Sequence, residues 1–282
     1  MIFDSHCHAQ FNVFKNDYEE VINRSGENGV VLNIVGTQST TSKRAVEIAE
    51  RFKNVYASIG LHPIHLFSAY VDEEETTFIS REEKFDADYY RELAKSKKVI
   101  GIGECGFELF HLPSESNKEE ILKKQKEVFY AQYKLAKELD LTLIIHVREA
   151  HQEMIDFLKE IGVADIRAVV HCFTGNLEEA KEYLNFGFYL GFTGVITFPP
   201  RKTNPESTLE LLKVVKKIPQ DRIVVETDAP YLAPQTYRGK RAEPWMVEEV
   251  VKKIAEIREK KFEDISETIF KNTVKLFGIK DI

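Results

Sequence analysis

The chain has 282 residues, 43% hydrophobic and 30% charged, with 39 basic against 46 acidic side chains and a net charge of −7. That apolar content suits one large core and excludes collagen, coiled coil, low-complexity and intrinsically disordered chains. No apolar run reaches the ~18 residues of a membrane span. Three cysteines are too few, and odd in number, for a disulfide scaffold. A cytoplasmic, reducing setting without membrane contact is therefore expected.

The N-terminus opens in a strand-like manner, with neither a basic nor an apolar leader pattern, so no signal peptide is expected. Strands are predicted over residues 2–8 and 30–35. A helix follows the Ser/Thr run at 39–42, with Ala45, Ile48, Ala49 and Phe52 on one face. After a third strand at 55–59, residues 69–92 carry nine acids against three bases, six of the seven net negative charges. This segment reads as an insertion, a solvated loop or helix face. The rest is close to neutral, so net charge does not exclude a polyanionic substrate. A fourth strand at 99–104 precedes a helix striped by Ile121, Gln125, Val128, Gln132, Leu135 and Leu139, with Asn117 as cap and Glu120 three residues on. Strands at 142–147 and 168–171 lead to a helix capped by Asn176 with Glu179. Strands at 189–192 and 223–227 complete eight. Val247, Val250, Val251 and Ile254 mark a further helix, and a closing helix runs to about Phe277.

Strand and helix alternate, which implies a parallel sheet. Eight units in this length predict a single (β/α)₈ barrel of the TIM type, one domain over residues 1–282. An open doubly wound sheet would place a Gly-rich phosphate turn after the first strand, where His6-Cys7-His8 stands instead.

In a strand, residues two apart share a face, so His6 and His8 point together and Cys7 away. His146, His171, Glu104 and Asp228 each end an apolar strand. In a barrel all these ends converge on one mouth. Four histidines and two carboxylates meeting there suit metal better than core packing, because lone buried carboxylates are costly. Six ligands exceed the need of one open site, so two divalent ions are expected. His6, His8 and Asp228 would hold one, His146 and His171 the other, and Glu104 would bridge. The N/O donors fit Zn²⁺, Mn²⁺, Fe²⁺ or Mg²⁺.

The sequence resembles the TatD family of metal-dependent hydrolases and DNases over nearly its whole length. The resemblance rests on Asp4-Ser5-His6-Cys7-His8, Ser58-Ile59-Gly60-Leu61-His62-Pro63, Gly101-Ile102-Gly103-Glu104-Cys105-Gly106 and Ile144-Ile145-His146-Val147-Arg148. It continues in His171-Cys172-Phe173-Thr174-Gly175, Gly191-Phe192-Thr193-Gly194-Val195-Ile196-Thr197-Phe198, Glu226-Thr227-Asp228-Ala229-Pro230 and Arg238-Gly239-Lys240-Arg241-Ala242-Glu243-Pro244. It implies the same barrel, the same six ligands, and hydrolysis of nucleic-acid phosphodiesters, often as a 3′–5′ exonuclease on DNA or RNA. Glu104 takes the place of the carboxylated lysine of some related barrels. Three motifs depart from the family pattern. Gly106-Phe107-Glu108-Leu109 replaces Gly-Leu-Asp-Tyr, Glu149 replaces the Asp of His-x-Arg-Asp, and Ala242 replaces an Asn. None removes a metal ligand.

Attack is then expected from a hydroxide formed at the metals, with Asp228 accepting the proton. His62 is a candidate for the scissile phosphate, or a residue fixing the turn before Pro63. Arg238, Lys240 and Arg241 are candidates for the phosphate backbone, with Arg201 and Lys202 a weaker pair. Phe192, Phe198, Tyr231 and Tyr237 could stack on bases. Glu226 orients a ligand histidine or joins a buried network. His111 and His151 read as surface residues, and Cys7, Cys105 and Cys172 as packing residues turned from the metals. Nucleic acid is the one partner implied. The rival chemistry is hydrolysis of an ester or amide, such as aminoacyl-tRNA deacylation, which the same barrel supports.

Overall fold

A computed structural model describes the chain apart from residues 69, 74, 75, 81, 113–116, 201, 281 and 282, and gives the backbone alone for 70–73 and 76–79. In chain order the elements are β1 (Ile2–Cys7), α1 (Tyr18–Glu27), β2 (Val30–Val35), α2 (Ser39–Ala49), β3 (Val55–Ile59), β4 (Tyr70–Glu73), β5 (Thr76–Ile79), α3 (Ala87–Leu93), β6 (Val99–Glu108), α4 (Lys118–Leu139) and β7 (Thr142–Arg148). Then come α5 (His151–Ile161), β8 (Ala168–Val170), α6 (Leu177–Asn185), β9 (Tyr189–Phe192), α7 (Pro205–Lys217), β10 (Ile223–Val225), α8 (Val247–Arg258) and α9 (Phe262–Phe277).

Eight strands form one parallel sheet in the order β1-β2-β3-β6-β7-β8-β9-β10. The sheet closes onto itself just past β10, where the Asp228 N–H donates to the His6 carbonyl (2.9 Å) and the His8 N–H to the Ala229 carbonyl (2.7 Å). This is the expected (β/α)₈ barrel, in which helices cover strands buried on both faces. Early strand positions supply an apolar floor of Phe3, Val31, Ile100, Ile144, Val169 and Val224, closed by Leu276 and Phe277 of α9. Above it lies a polar layer. Asn33 donates to the Ser5 carbonyl, Ser58 to Asn33 Oδ1, and Ser5 Oγ to Glu226 Oε2, each within 3.1 Å. The charged site sits on top, so polarity rises along the barrel axis toward the strand C-termini.

Two sequence expectations change. β6 continues to Glu108, four residues past its expected end, because Gly106 (φ +155°) lets it lie against the His146 backbone where no Cβ would fit. Among its described residues, the segment 69–92 holds more than a loop and a helix face. Tyr70–Glu73 and Thr76–Ile79 pair antiparallel, and α3 follows, capped by the Asp86 carboxylate. β-prone Tyr, Val, Thr, Phe and Ile drive the pairing despite the acids. Glu83 is docked, accepting from the Ser39 N–H (3.0 Å) and hydroxyl (2.9 Å) at the N-terminus of α2.

Candidate active site

Glu104 is the centre of the mouth. Its carboxylate oxygens lie 3.3 Å from His6 Nε2, 3.9 Å from His8 Nε2, 3.4 Å from His62 Nε2, 2.8 Å from His146 Nδ1 and 3.0 Å from His171 Nε2. As strand alternation requires, His6 and His8 turn together with Nε2 atoms 3.3 Å apart, while the Cys7 thiol turns away to the Asn33 carbonyl. Asp228 reaches the same point from a left-handed residue (φ +59°) pinned by its N–H to His6 and by its carbonyl to the Tyr231 N–H. Its carboxylate is 3.3 Å from His8 Nε2 and 3.7 Å from His6 Nε2.

The donor chemistry tests whether metal fits. His8 Nδ1 is 2.7 Å from the Val35 carbonyl, which only accepts, so Nδ1 carries the proton. His8 Nε2 faces an Asp228 carboxylate oxygen 3.3 Å away. With His6 Nε2 and the Glu104 carboxylate beside them, these atoms form a cluster of N and O donors that a divalent cation would fit. The groups His6–His8–Asp228, His6–Glu104–His171 and His62–Glu104–His146 each gather ligand atoms within 4.8 Å of one another. The all-N/O set fits a divalent transition metal or Mg²⁺.

Outer contacts orient the imidazoles. His171 Nδ1 faces Glu226 Oε1 at 3.3 Å, and Glu226 also accepts from the Cys172 N–H and, at 3.1 Å, from Ser5 Oγ. Glu226 thus both faces a ligand histidine and anchors a buried network, and Gly191 leaves room for its carboxylate. His146 is held between two acids, with Nδ1 on Glu104 and Nε2 on Glu108 Oε2 at 3.2 Å. Glu108 Oε1 is fixed by the N–H groups of Phe110 (2.6 Å) and His111 (3.0 Å). His62 differs. Its Nδ1 accepts from the Ile64 N–H (3.0 Å), so in the neutral ring the proton sits on Nε2. In that tautomer it faces Glu104 as a donor.

Helix α4 positions two of these groups. Gln132 accepts from the Leu61 N–H (2.8 Å) and donates to the Leu61 carbonyl (2.9 Å), clamping the turn before His62. Gln125 does the same for Glu108, at 3.2 and 2.8 Å. These two polar residues of an otherwise apolar stripe therefore hold the ends of β3 and β6.

Charge in the site is strongly coupled. Burial pushes the Glu104 carboxyl up, but His171, His62 and His6 outweigh it and hold it well below its ordinary value. Asp228 is likewise lowered, burial being overcome by the His8 hydrogen bond and by His171 and His6. Burial and the neighbouring His146 take His62 down to about 4, so it is neutral near pH 7. Burial would lower His146, but Glu104 and Glu108 raise it. Opposed shifts on adjacent groups of this kind cluster at functional mouths.

Of the residues singled out from sequence, His6, His8, Glu104, His146, His171, Asp228 and His62 come together. Arg238, Lys240 and Arg241 do not line the ~570 Å³ cleft above them. Arg241 is committed to Asp17 (2.5 Å) and Glu243 (3.4 Å), which neutralise it, and lies over the Phe14 ring. Arg238 lies over Phe198, and Lys240 over Tyr237. Arg201 is outside the described residues, and Lys202 is exposed and does not itself line the cleft, although Asn204 two residues on does. His111 and His151 are not surface residues. Both are half-buried; His111 lines the cleft beside Glu108, and His151 bonds the Tyr183 hydroxyl at 3.1 Å. Cys172 also lines the cleft, since β8 ends at Val170 and Cys172 is itself left-handed (φ +45°), outside strand alternation. Burial pushes that thiol up to about 12, so it is no nucleophile. Phe192 is core and Tyr237 packs on Trp245, leaving Tyr231 at the cleft. Sequence reasoning missed Glu108 as a site residue. The available signal was its parity with Glu104, four residues earlier on one strand face.

This is the fold and donor set of a metal-dependent hydrolase barrel. The profile of the family described as TatD related DNase matches residues 3–278. Over 280 residues the chain is 38% identical to the uncharacterized metal-dependent hydrolase YabD of Bacillus subtilis, covering 99% of this chain and 100% of that protein. It is 31% identical to the 3′-5′ ssDNA/RNA exonuclease TatD of Pantoea ananatis over 284 residues, 99% of this chain and 100% of the relative. Among solved structures it is similar to YjjV, a TatD homologue of Escherichia coli, with a TM-score of 0.82 and 26% identity, covering 99% and 98% of the two chains. The chain belongs to the TatD-related DNase family.

Proposed function

We propose that this metal-dependent hydrolase is a nuclease that cleaves phosphodiester bonds of DNA, in the manner of a 3′–5′ exonuclease, using two divalent ions. The observation that carries the reading is Glu104, one buried carboxylate shared by imidazoles from both donor sets. The description of the Pantoea relative supports the substrate class. His6, His8 and Asp228 would hold one ion and His146 and His171 the other, with Glu104 across both. Bound there, divalent metal would supply an acidified water near neutral pH and neutralise charge on the phosphoryl group.

The chain's own groups do the rest. Asp228 is the most accessible of the six ligands, its side chain 15% exposed against 0–5% for His6, His8, Glu104 and His171 and 13% for His146. Its carboxylate is placed to take the water's proton and pass it to the cleft. His62, neutral with its proton on Nε2, donates to a non-bridging phosphoryl oxygen without carrying a charge that would repel metal. Glu108 and Glu226 hold His146 and His171 so that the lone pairs face inward.

The test is a panel of chelator-stripped protein reloaded with Zn²⁺, Mn²⁺ or Mg²⁺ and offered 3′-labelled DNA, RNA, aminoacyl-tRNA and small amides. Release of mononucleotides from DNA is expected. Inertness on DNA and RNA with turnover of aminoacyl-tRNA or amides would overturn the nuclease reading in favour of carbonyl hydrolysis.

A further inference from the structure

Beyond the metal ligands, the cleft holds an exposed aromatic ring paired with a cation. Phe110 stands two residues past β6, and half of it (51%) is exposed. Arg148, the last residue of β7, places its guanidinium carbon 4.2 Å from the centre of that ring. Both residues line the cleft, and Arg148 is the one lysine or arginine among the described residues that do.

The pair is rigidly mounted. β6 and β7 are in register at Glu108 opposite Arg148, and the Leu109 N–H donates to the Arg148 carbonyl at 3.0 Å. The Phe110 N–H donates to Glu108, whose other oxygen meets His146, which in turn meets Glu104. Three successive contacts therefore tie the exposed ring to the centre of the site. The His111 ring meets Phe110 edge-on at 4.8 Å, fixing its tilt.

We propose that Phe110, backed by Arg148, is the stacking platform for the nucleobase beside the scissile phosphodiester. This rests on the nucleic-acid reading of the site above. An aromatic face joined to a single cation is the combination by which proteins hold single-stranded bases without reading their sequence. Other aromatics near the mouth pack against the ligand His8. Phe11 lies flat on His8 (4.4 Å, 5°), and Tyr231 stands edge-on to the same ring. The platform selects an unstacked base, hence single strands or frayed ends, over an intact duplex.

The test compares a 5′-labelled single-stranded pentadeoxynucleotide having phosphorothioate linkages with the same oligomer carrying abasic residues at its last two positions. Binding to metal-loaded wild type, Phe110→Ala and Phe110→Trp is followed by anisotropy, so the result does not depend on turnover. Wild type should prefer the base-bearing oligomer by roughly 5- to 150-fold, the range for stacking one base. F110W should keep that preference and F110A should lose it. Because the side chain is exposed, F110A does not threaten the fold. A wild type without preference, or an F110A that keeps it, overturns the platform. A preference that is present while the ordinary phosphodiester oligomer is never hydrolysed would instead refute the nuclease reading and leave the platform standing.

Discussion

Replacing Glu108 by Gln should release metal from the His146 side of the site while the barrel stays folded. In the native chain Glu108 Oε1 accepts two backbone N–H groups, and Oε2 accepts from His146 Nε2. With metal bound, His146 keeps the Nε2 proton and offers Nδ1, the atom now 2.8 Å from Glu104. The amide introduced by E108Q would leave its oxygen with the two backbone donors and turn its NH₂ toward His146. Nε2 must then accept, and the proton moves to Nδ1, where the lone pair is needed. Flipping the amide instead sets its NH₂ against the Phe110 and His111 N–H groups. Either way, once Nδ1 is given to metal and Nε2 keeps its proton, a buried donor is left facing a donor, at about 1–3 kcal/mol, or roughly 5- to 150-fold in metal affinity. Loss of outer-ligand carboxylates elsewhere costs a similar 10–100-fold. The assay is Zn²⁺ and Mn²⁺ titration against a chromophoric chelator, with the ¹⁵N shifts of His146 reporting which nitrogen is protonated. An E108Q protein that binds metal as tightly as wild type, with the proton still on Nε2, would refute this account of how His146 is oriented.

Other perturbations separate ligand, base, clamp and scaffold. Glu104→Ala should lose bound divalent metal and all activity with the fold retained, read by elemental analysis and circular dichroism. Asp228→Asn should keep part of its metal at high concentration while kcat falls about 10²–10⁴-fold; a kcat that falls only in proportion to metal content would make Asp228 a ligand alone. Gln132→Leu strands the Leu61 N–H and carbonyl, each buried group costing about 1–3 kcal/mol, and should lower stability and kcat more than metal affinity, measured on one preparation. Arg241→Ala tests scaffold against substrate. The Arg241 hydrogen bond lowers Asp17, and Glu243 is lowered, against its burial, by Arg24, Trp245 and Arg241. A lowered carboxyl adds stability that is in place above its unfolded value of about 4 and is lost as pH falls through the folded value. R241A should therefore cost ~1 kcal/mol at pH 7, a gap that closes below about pH 4 in urea titrations, with KM for DNA unmoved; a raised KM would return Arg241 to substrate binding.

What can be read from the sequence follows from the range of the interactions concerned. Strand ends are legible because a parallel barrel buries β-branched runs on both faces, so each run stops where its first polar residue meets the mouth. His6, His8, Glu104, His146, His171 and Asp228 stand at those ends, and one topological rule brings all six together. Glu108 escapes because β6 runs on past Glu104, and nothing local distinguishes a strand that ends from one that Gly106 allows to continue. The partners of the basic loop are hidden for a related reason. Charge in sequence carries no sign of its partner, and Asp17, which neutralises Arg241, lies 224 positions away. The same distance effect hides the roles of Gln125 and Gln132. As members of an apolar helical stripe they read as imperfect core residues, yet their amides bond reciprocally to the turns carrying Glu108 and His62. A buried polar residue in an otherwise apolar stripe thus points to a backbone segment that its own sheet leaves unpaired. Here both such segments emerge at the metal mouth, so the helix that looks like outer scaffold also sets the geometry of the site.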